Sequence, residues 1–258
     1  MRFVEVEEAR GAPGLRLVIA GGVPSPWSQA AMGLFDIKKL DYVAVRLRGA
    51  AAQVKEWTGA HNAPVAIYEQ EPPRTGWAEI LALAERLGGV PLVPRDGPTR
   101  VRMHGLAHEI LGERGLCWNI RLLLIHASLT TGGKEGWPLV IAEYLAPKYG
   151  YAPELCEGAR RDAIDVLRLL GGLLDQAEAR KDDYCLGAVL SALDIYVAAG
   201  LAPLAPLAPM PPDLCPMLPA VRHAFETLDP AVRAAVPASL LRHRDMMFQR
   251  HLTLPVRL

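Results

Sequence analysis

No two cysteines in this chain form a C-x-x-C pair. Cys117, Cys156, Cys185 and Cys215 are scattered, so neither a zinc ribbon nor a dithiol redox motif can be assembled from neighbouring residues. Reduced, mostly buried thiols are expected instead. Neither sign of charge prevails, since 28 Lys and Arg stand against 28 Asp and Glu. With no excess positive field to hold a phosphate backbone or an anionic membrane surface, nucleic acid and membrane are not expected as partners. No apolar run approaches the roughly 18 to 20 residues that cross a bilayer. The opening MRFVEVEEAR also lacks the basic, apolar and small-residue succession of a secretory signal, so a cytoplasmic location is expected.

Several motifs are present only in fragments. Gly21-Gly22 follows a strand-like run, but G-x-G-x-x-G is missing, which removes the dinucleotide fingerprint. His104 and His108 stand one helical turn apart in the order H-x-x-x-H-E rather than H-E-x-x-H, with no third ligand at a recognisable spacing, so no metal site is expected. His243-Arg244-Asp245 spells the kinase catalytic tripeptide without the glycine-rich loop, the strand lysine or the downstream asparagine, and reads as a coincidence on a charged terminal helix.

What is present is enough apolar material to fold. The 258 residues are 51% hydrophobic and 22% charged, which suits one large or two modest domains. Leu15 to Ala20, Tyr42 to Leu47 and Pro64 to Glu69 read as strands, with a helix from Pro26 to about Leu40. A further helix over GWAEILALAERLG has Trp77, Ile80, Leu81, Leu83, Ala84 and Leu87 at helical spacing and Gly88-Gly89 at its end. The order strand, helix, strand, connection, strand, helix implies a small mixed sheet covered by helices. The stretch GGVPLVPRDGPTR is aperiodic and rich in Pro and Gly, as a linker is. Beyond it the pattern is helical throughout. In the longest segment Ala163, Val166, Leu167, Leu170, Leu173, Leu174 and Ala177 mark one buried face. The division that results is an extension over residues 1–14, an α/β domain over 15–90, a linker over 91–100 and an all-helical domain over 101–258. LAPLAPLAPMPP, from Leu201 to Pro212, cannot continue a helix and reads as a stiff apolar connector.

Three local patterns point to chemistry. Ser25-Pro26 in GGVPSPWSQ fits a helix N-cap with proline at the first helical position. Asn62-Ala63-Pro64 puts a proline at the head of a strand, a place that tolerates its missing amide hydrogen. Ser191-x-x-Asp194 heads an apolar run as a capping box, with the hydroxyl accepting from the Asp194 N–H and the carboxylate reaching back to the Ser191 N–H.

Taken together, Ser-Pro-Trp-Ser after the first strand, Asn-Ala-Pro-Val opening the third, and LGAVLSALDIY in a helical second domain resemble the glutathione transferase superfamily. The resemblance runs from Leu15 to about Leu201. It implies a thioredoxin-like α/β N-terminal domain, an all-α C-terminal bundle and a homodimer. It further implies that Ser25 is the catalytic residue, donating to the sulfur of bound glutathione and favouring the thiolate together with the positive end of the helix. Ser28 stands where a glutaredoxin-like member has its second cysteine, so disulfide exchange is excluded. Ala63 before a cis Pro64 would hold the cysteinyl backbone of glutathione, and Trp27 would border the same site. Where most members carry Glu-Ser, this chain has Gly76-Trp77. Thr75 offers a hydroxyl one residue early, and the free amides of the helix start would attract a carboxylate. His104, His108, Trp118 and Arg121 would border the pocket for a second substrate. The implied function is transfer of the glutathione thiolate to a small, mostly apolar electrophile. The alternatives are a non-catalytic binding or scaffold protein that has lost glutathione, and an enzyme using another thiol or anionic ligand.

Overall fold

A computed structural model describes residues 1–47, 49–202 and 216–258. The connector read over Leu201 to Pro212 lies almost wholly outside the described residues, as does Cys215.

The N-terminal domain is built on a four-stranded mixed sheet in the order β1-β3-β2-β4. Its strands are β1 (Arg2–Phe3), β2 (Leu15–Ile19), β3 (Tyr42–Arg46) and β4 (Val65–Tyr68). β2 is parallel to β3 and antiparallel to β4. All five residues of β2 are buried because helices cover both faces of the sheet. On one face Leu17, Ile19 and Ala44 meet α2 (Pro26–Ile37) and α4 (Trp77–Leu87). On the other, Val18, Val45 and Val65 meet α1 (Val6–Gly11) and α3 (Ala51–Thr58). Residues 1–14 are more than an extension, since β1 pairs in parallel with β3 and α1 covers the sheet. The two-residue strand carries too little periodicity to be read in advance.

The second domain consists of α5 (Gly97–Leu111), α6 (Leu116–Thr131), α7 (Leu139–Lys148), α8 (Cys156–Ala179), α9 (Ala192–Leu201), α10 (Pro219–Glu226), α11 (Pro230–Ala234) and α12 (Ala238–Arg250). α5 opens inside the stretch read as linker: the Asp96 carboxylate accepts from the Thr99 N–H at 2.9 Å, and a proline in the first turn needs no partner for an amide hydrogen. The linker is packed rather than loose. Leu92 is buried, its carbonyl accepts from the Ala192 N–H, and buried Lys38 bonds both Glu85 and the Val90 carbonyl. The expected face of α8 is buried at every position named above.

All ten residues of α9 are buried, and the helix is the hub of the molecule, contacting α2, α5 and α12. Its sequence ALDIYVAAGL is apolar nearly all round, which suits a helix enclosed on every side. Asp194, in its first turn, is fully buried. One carboxylate oxygen accepts from the Ser191 N–H and hydroxyl, both at 2.9 Å, and the other from the Cys185 N–H at 2.8 Å. The expected capping box therefore forms at the start of α9. The Ser191 hydroxyl also donates to the carboxylate, and the Asp194 N–H reaches the Ser191 carbonyl at 3.2 Å.

Residues 252–258 return to the first domain. A Cβ on Gly33 of α2 would lie 2.8 Å from both Ile195 Cγ2 and Leu252 Cδ2, so any side chain here would force those two to shift. Gln29 Nε2 donates to the Arg257 carbonyl at 2.6 Å, Arg46 Nε donates to the Leu258 carbonyl at 2.7 Å, and Arg257 pairs with Asp36. His243 and Arg244, on the charged terminal helix α12, are buried.

Candidate functional site

A crevice of about 370 Å³ lies between the domains. From the first domain it takes Trp27, Asn62, Ala63, Pro64, Thr75, Gly76 and Trp77, and from the second His108, Leu111 to Glu113, Trp118, Lys148 and Tyr149. Asn62, Thr75 and Lys148 are shared with a wider groove of about 770 Å³ that runs outward between the end of α3 and α7.

The floor is the Ala63-Pro64 peptide, which is cis. Among the described residues, Ala63 makes no backbone hydrogen bond through either its N–H or its carbonyl. Those two groups are what an extended peptide pairs with when it adds to a sheet edge.

The start of α4 differs from the sequence expectation. Gly76, not Thr75, is the N-cap, and one Glu79 carboxylate oxygen accepts from the Gly76 N–H at 3.1 Å and from the Thr75 N–H at 3.3 Å. Two of the amides expected to be free for a ligand carboxylate are thus occupied by the helix's own. Trp77 turns toward the second domain, edge-on to Tyr196 at 5.8 Å and against His104 at 6.3 Å between ring centroids.

An aromatic wall faces this floor. Tyr149 lies 4.7 Å from Trp118 and 6.5 Å from Trp27, and the Trp27 indole N–H is fixed by the Leu111 carbonyl at 2.7 Å. Arg121 stands behind the wall rather than in the crevice. It is 8% exposed, has no carboxylate partner among the described residues, and lies over Trp137 at 4.8 Å and Tyr149 at 5.8 Å. Contacts of this kind hold a guanidinium where a carboxylate is absent. Desolvation, and secondarily the Arg121 charge, hold the Lys148 ammonium below its usual pKa. Flat apolar faces with Lys148 and Glu113 among the lining residues suit an aromatic or otherwise apolar molecule.

Eight residues proposed from sequence meet in the crevice: Trp27, Ala63, Pro64, Thr75, Gly76, Trp77, His108 and Trp118. Four do not line it. Ser28 is fully buried, and its Oγ accepts from the Ala20 N–H at 3.0 Å, so it ties α2 to the end of β2 instead of facing a ligand. His104 supports Trp77, and Arg121 supports Tyr149. Ser25 occupies the N-cap position of α2 at 5% exposure, yet its hydroxyl makes no capping bond. Lys148 and Tyr149 were not anticipated, because α7 is amphipathically weak and no motif marks its end. Glu79 was legible in principle, as a glutamate three residues after an N-cap.

No protein-family model matches this sequence, and no curated protein matches it. Solved structures do match. A glutathione S-transferase from Methylobacterium radiotolerans, in complex with glutathione sulfonate, is 18% identical with a TM-score of 0.60, over 92% of this chain and 91% of that one. A glutathione S-transferase from Methylobacillus flagellatus with glutathione bound is 16% identical with a TM-score of 0.59, over 92% and 95%. A β-etherase from a Sphingobium strain is 15% identical with a TM-score of 0.57, over 92% and 99%. A thioredoxin-like domain joined to an all-helical one, matched over nine-tenths of its length by such structures, makes this a protein of the glutathione transferase fold.

Proposed function

We propose that the chain is a glutathione-dependent transferase acting on a small, mostly apolar electrophile. The observation that carries this reading is the unpaired backbone of Ala63 on the crevice floor, opposite an aromatic wall. The cysteinyl segment of glutathione lies along Ala63, and the electrophile stacks against Trp118 and Tyr149. The thiol points toward the start of α2, where the Ser25 hydroxyl, unused as a cap, donates to the sulfur and the helix N-terminus favours the thiolate. The sulfur forms a bond to the electrophilic carbon, the leaving group departs with its electron pair, and the thiol proton goes to solvent. The known structures with bound glutathione lend weight to the ligand, and the reading includes a cytoplasmic homodimer, the latter tested by sedimentation.

One observation favours a second reading. With the Glu79 carboxylate on the Thr75 and Gly76 amides, the place where the glutathione γ-glutamyl carboxylate would dock is partly filled by like charge. A binding or scaffold protein without glutathione would have no need of those amides. Calorimetric titration with glutathione, followed by turnover of a chlorodinitrobenzene, separates the two. Saturable binding with turnover that falls in Ser25→Ala supports the transferase. Absence of binding at millimolar glutathione leaves the scaffold.

A further inference from the structure

Cys185, Asp194 and His243 are remote in sequence and meet inside the helical domain. Cys185 lies in the turn after α8, Asp194 in the first turn of α9 and His243 in the middle of α12. Their exposures are 1%, 0% and 6%. Cys185 Sγ is 3.7 Å from His243 Nε2, and Asp194 Oδ1 is 3.4 Å from the same nitrogen.

That both contacts fall on one ring nitrogen decides between two chemistries. In a nucleophile-histidine-acid relay, the nucleophile and the acid flank the imidazole on opposite nitrogens, so that a proton enters at one and orientation is held at the other. Here sulfur, nitrogen and oxygen all lie within 4.8 Å of one another, as the ligands of one ion do. The spacing agrees: a tetrahedral zinc ion with ordinary bond lengths sets S···N at about 3.6 Å and N···O at about 3.3 Å. The remaining contacts of Asp194 steady such a ligand. Oδ2 is fixed by Ser191, and Oδ1, which takes the Cys185 N–H, keeps a second lone pair.

Solvent reaches the edge of the cluster at His243. His243 lines a surface cavity of about 360 Å³ between the end of α8 and α12, whose walls carry Glu178, Asp182 and Asp183 against Lys181 and Arg242. Glu178 is paired with Arg242 and Asp182 with Arg180, so the walls are close to neutral, and the cavity is wide enough for water beside the His243 ring.

We propose that Cys185, Asp194 and His243 form a binding site for a zinc-class divalent cation. The thiol releases its proton to solvent as the sulfur-metal bond forms. One thiolate, one imidazole and one carboxylate suit Zn²⁺, with Co²⁺ as a spectroscopic substitute.

The test uses the full chain, stripped with chelator and titrated with Co²⁺. One equivalent should give the near-ultraviolet band of thiolate-to-cobalt charge transfer and visible bands of tetrahedral strength, and Zn²⁺ should bleach both. Cys185→Ser should abolish the ultraviolet band and weaken Zn²⁺ binding at least about 100-fold, beyond what loss of a supporting group costs. Cys117→Ser and the His104→Ala/His108→Ala pair should leave both unchanged. A charge-transfer band that survives in Cys185→Ser overturns the proposal. So does a wild-type spectrum without that band, a result that needs no variant to fold.

Discussion

Replacing Asp194 by alanine should be the most damaging single change to the capping region of α9. Its fully buried carboxylate accepts three hydrogen bonds, at 2.8, 2.9 and 2.9 Å. Alanine strands two main-chain N–H groups and the Ser191 hydroxyl where water does not reach. Each buried donor left alone costs about 1–3 kcal/mol, and bonds to a charged acceptor lie toward the upper end. Part of the loss is offset because a buried charge no longer has to be stripped of water. A net loss of about 3–5 kcal/mol is expected, against a total of about 5–15 kcal/mol for a typical fold. Ser191→Ala removes one donor and strands none, so about 0.5–1.5 kcal/mol is expected. The double variant should cost less than the sum, since the hydroxyl stranded by Asp194→Ala is already gone. Urea unfolding, followed by circular dichroism and tryptophan fluorescence with chelator present, measures all three. An Asp194→Ala protein within about 0.5 kcal/mol of wild type would refute the account of α9 given above.

Glu79→Ala should strengthen glutathione binding by about fivefold in calorimetry, roughly the 1 kcal/mol that one freed amide returns to a ligand carboxylate; equal or weaker binding sinks the idea that Glu79 blocks the site. Gly33→Ala should destabilise the fold by about 1–3 kcal/mol in the same urea assay, because the new methyl meets Ile195 and Leu252 at 2.8 Å, and an unchanged midpoint would mean that α2 and α9 are less closely packed than described. Burial pushes the Cys117 thiol up to about 12, so peptide mass mapping after iodoacetamide treatment near neutral pH should find Cys117 unmodified in the native protein and modified in urea. Rapid native alkylation there would contradict its burial in the first turn of α6.

The elements that could be read in the sequence are those whose signal is local. β2 is a bounded run that is aliphatic except for Arg16, α4 repeats its apolar positions at helical spacing, and Ser191-x-x-Asp194 announces a helix start. Pro64 at a strand head was legible for the same reason. α5 was placed too late because Asp-Gly-Pro-Thr reads equally as a loop and as a capped first turn; only the Asp96 to Thr99 bond separates them. The site was legible mainly on its thioredoxin-like side, with His108 and Trp118 reached on the other. Trp27, Ala63 and Trp77 sit in short patterns, whereas Lys148 and Tyr149 arrive through the path of α7, which no spacing encodes. The Cys185, Asp194 and His243 cluster was beyond reach for the same reason, since Cys185 and His243 are 58 residues apart and meet only once α12 packs on α9.

The return of the last residues to α2 bears on how the chain is made. Gln29 and Arg257 are 228 residues apart, so at roughly 5–20 residues per second the ribosome needs about 10–50 seconds to supply the partner of a helix it has already released. Domain-by-domain folding during synthesis is therefore incomplete here, even though the sheet and its four helices are all present early. Through that interval the Gly33 flank of α2, the groove meant for Ile195 and Leu252, is bare apolar surface on a nascent chain. It is the segment on which a chaperone acting at the ribosome exit would find its hold.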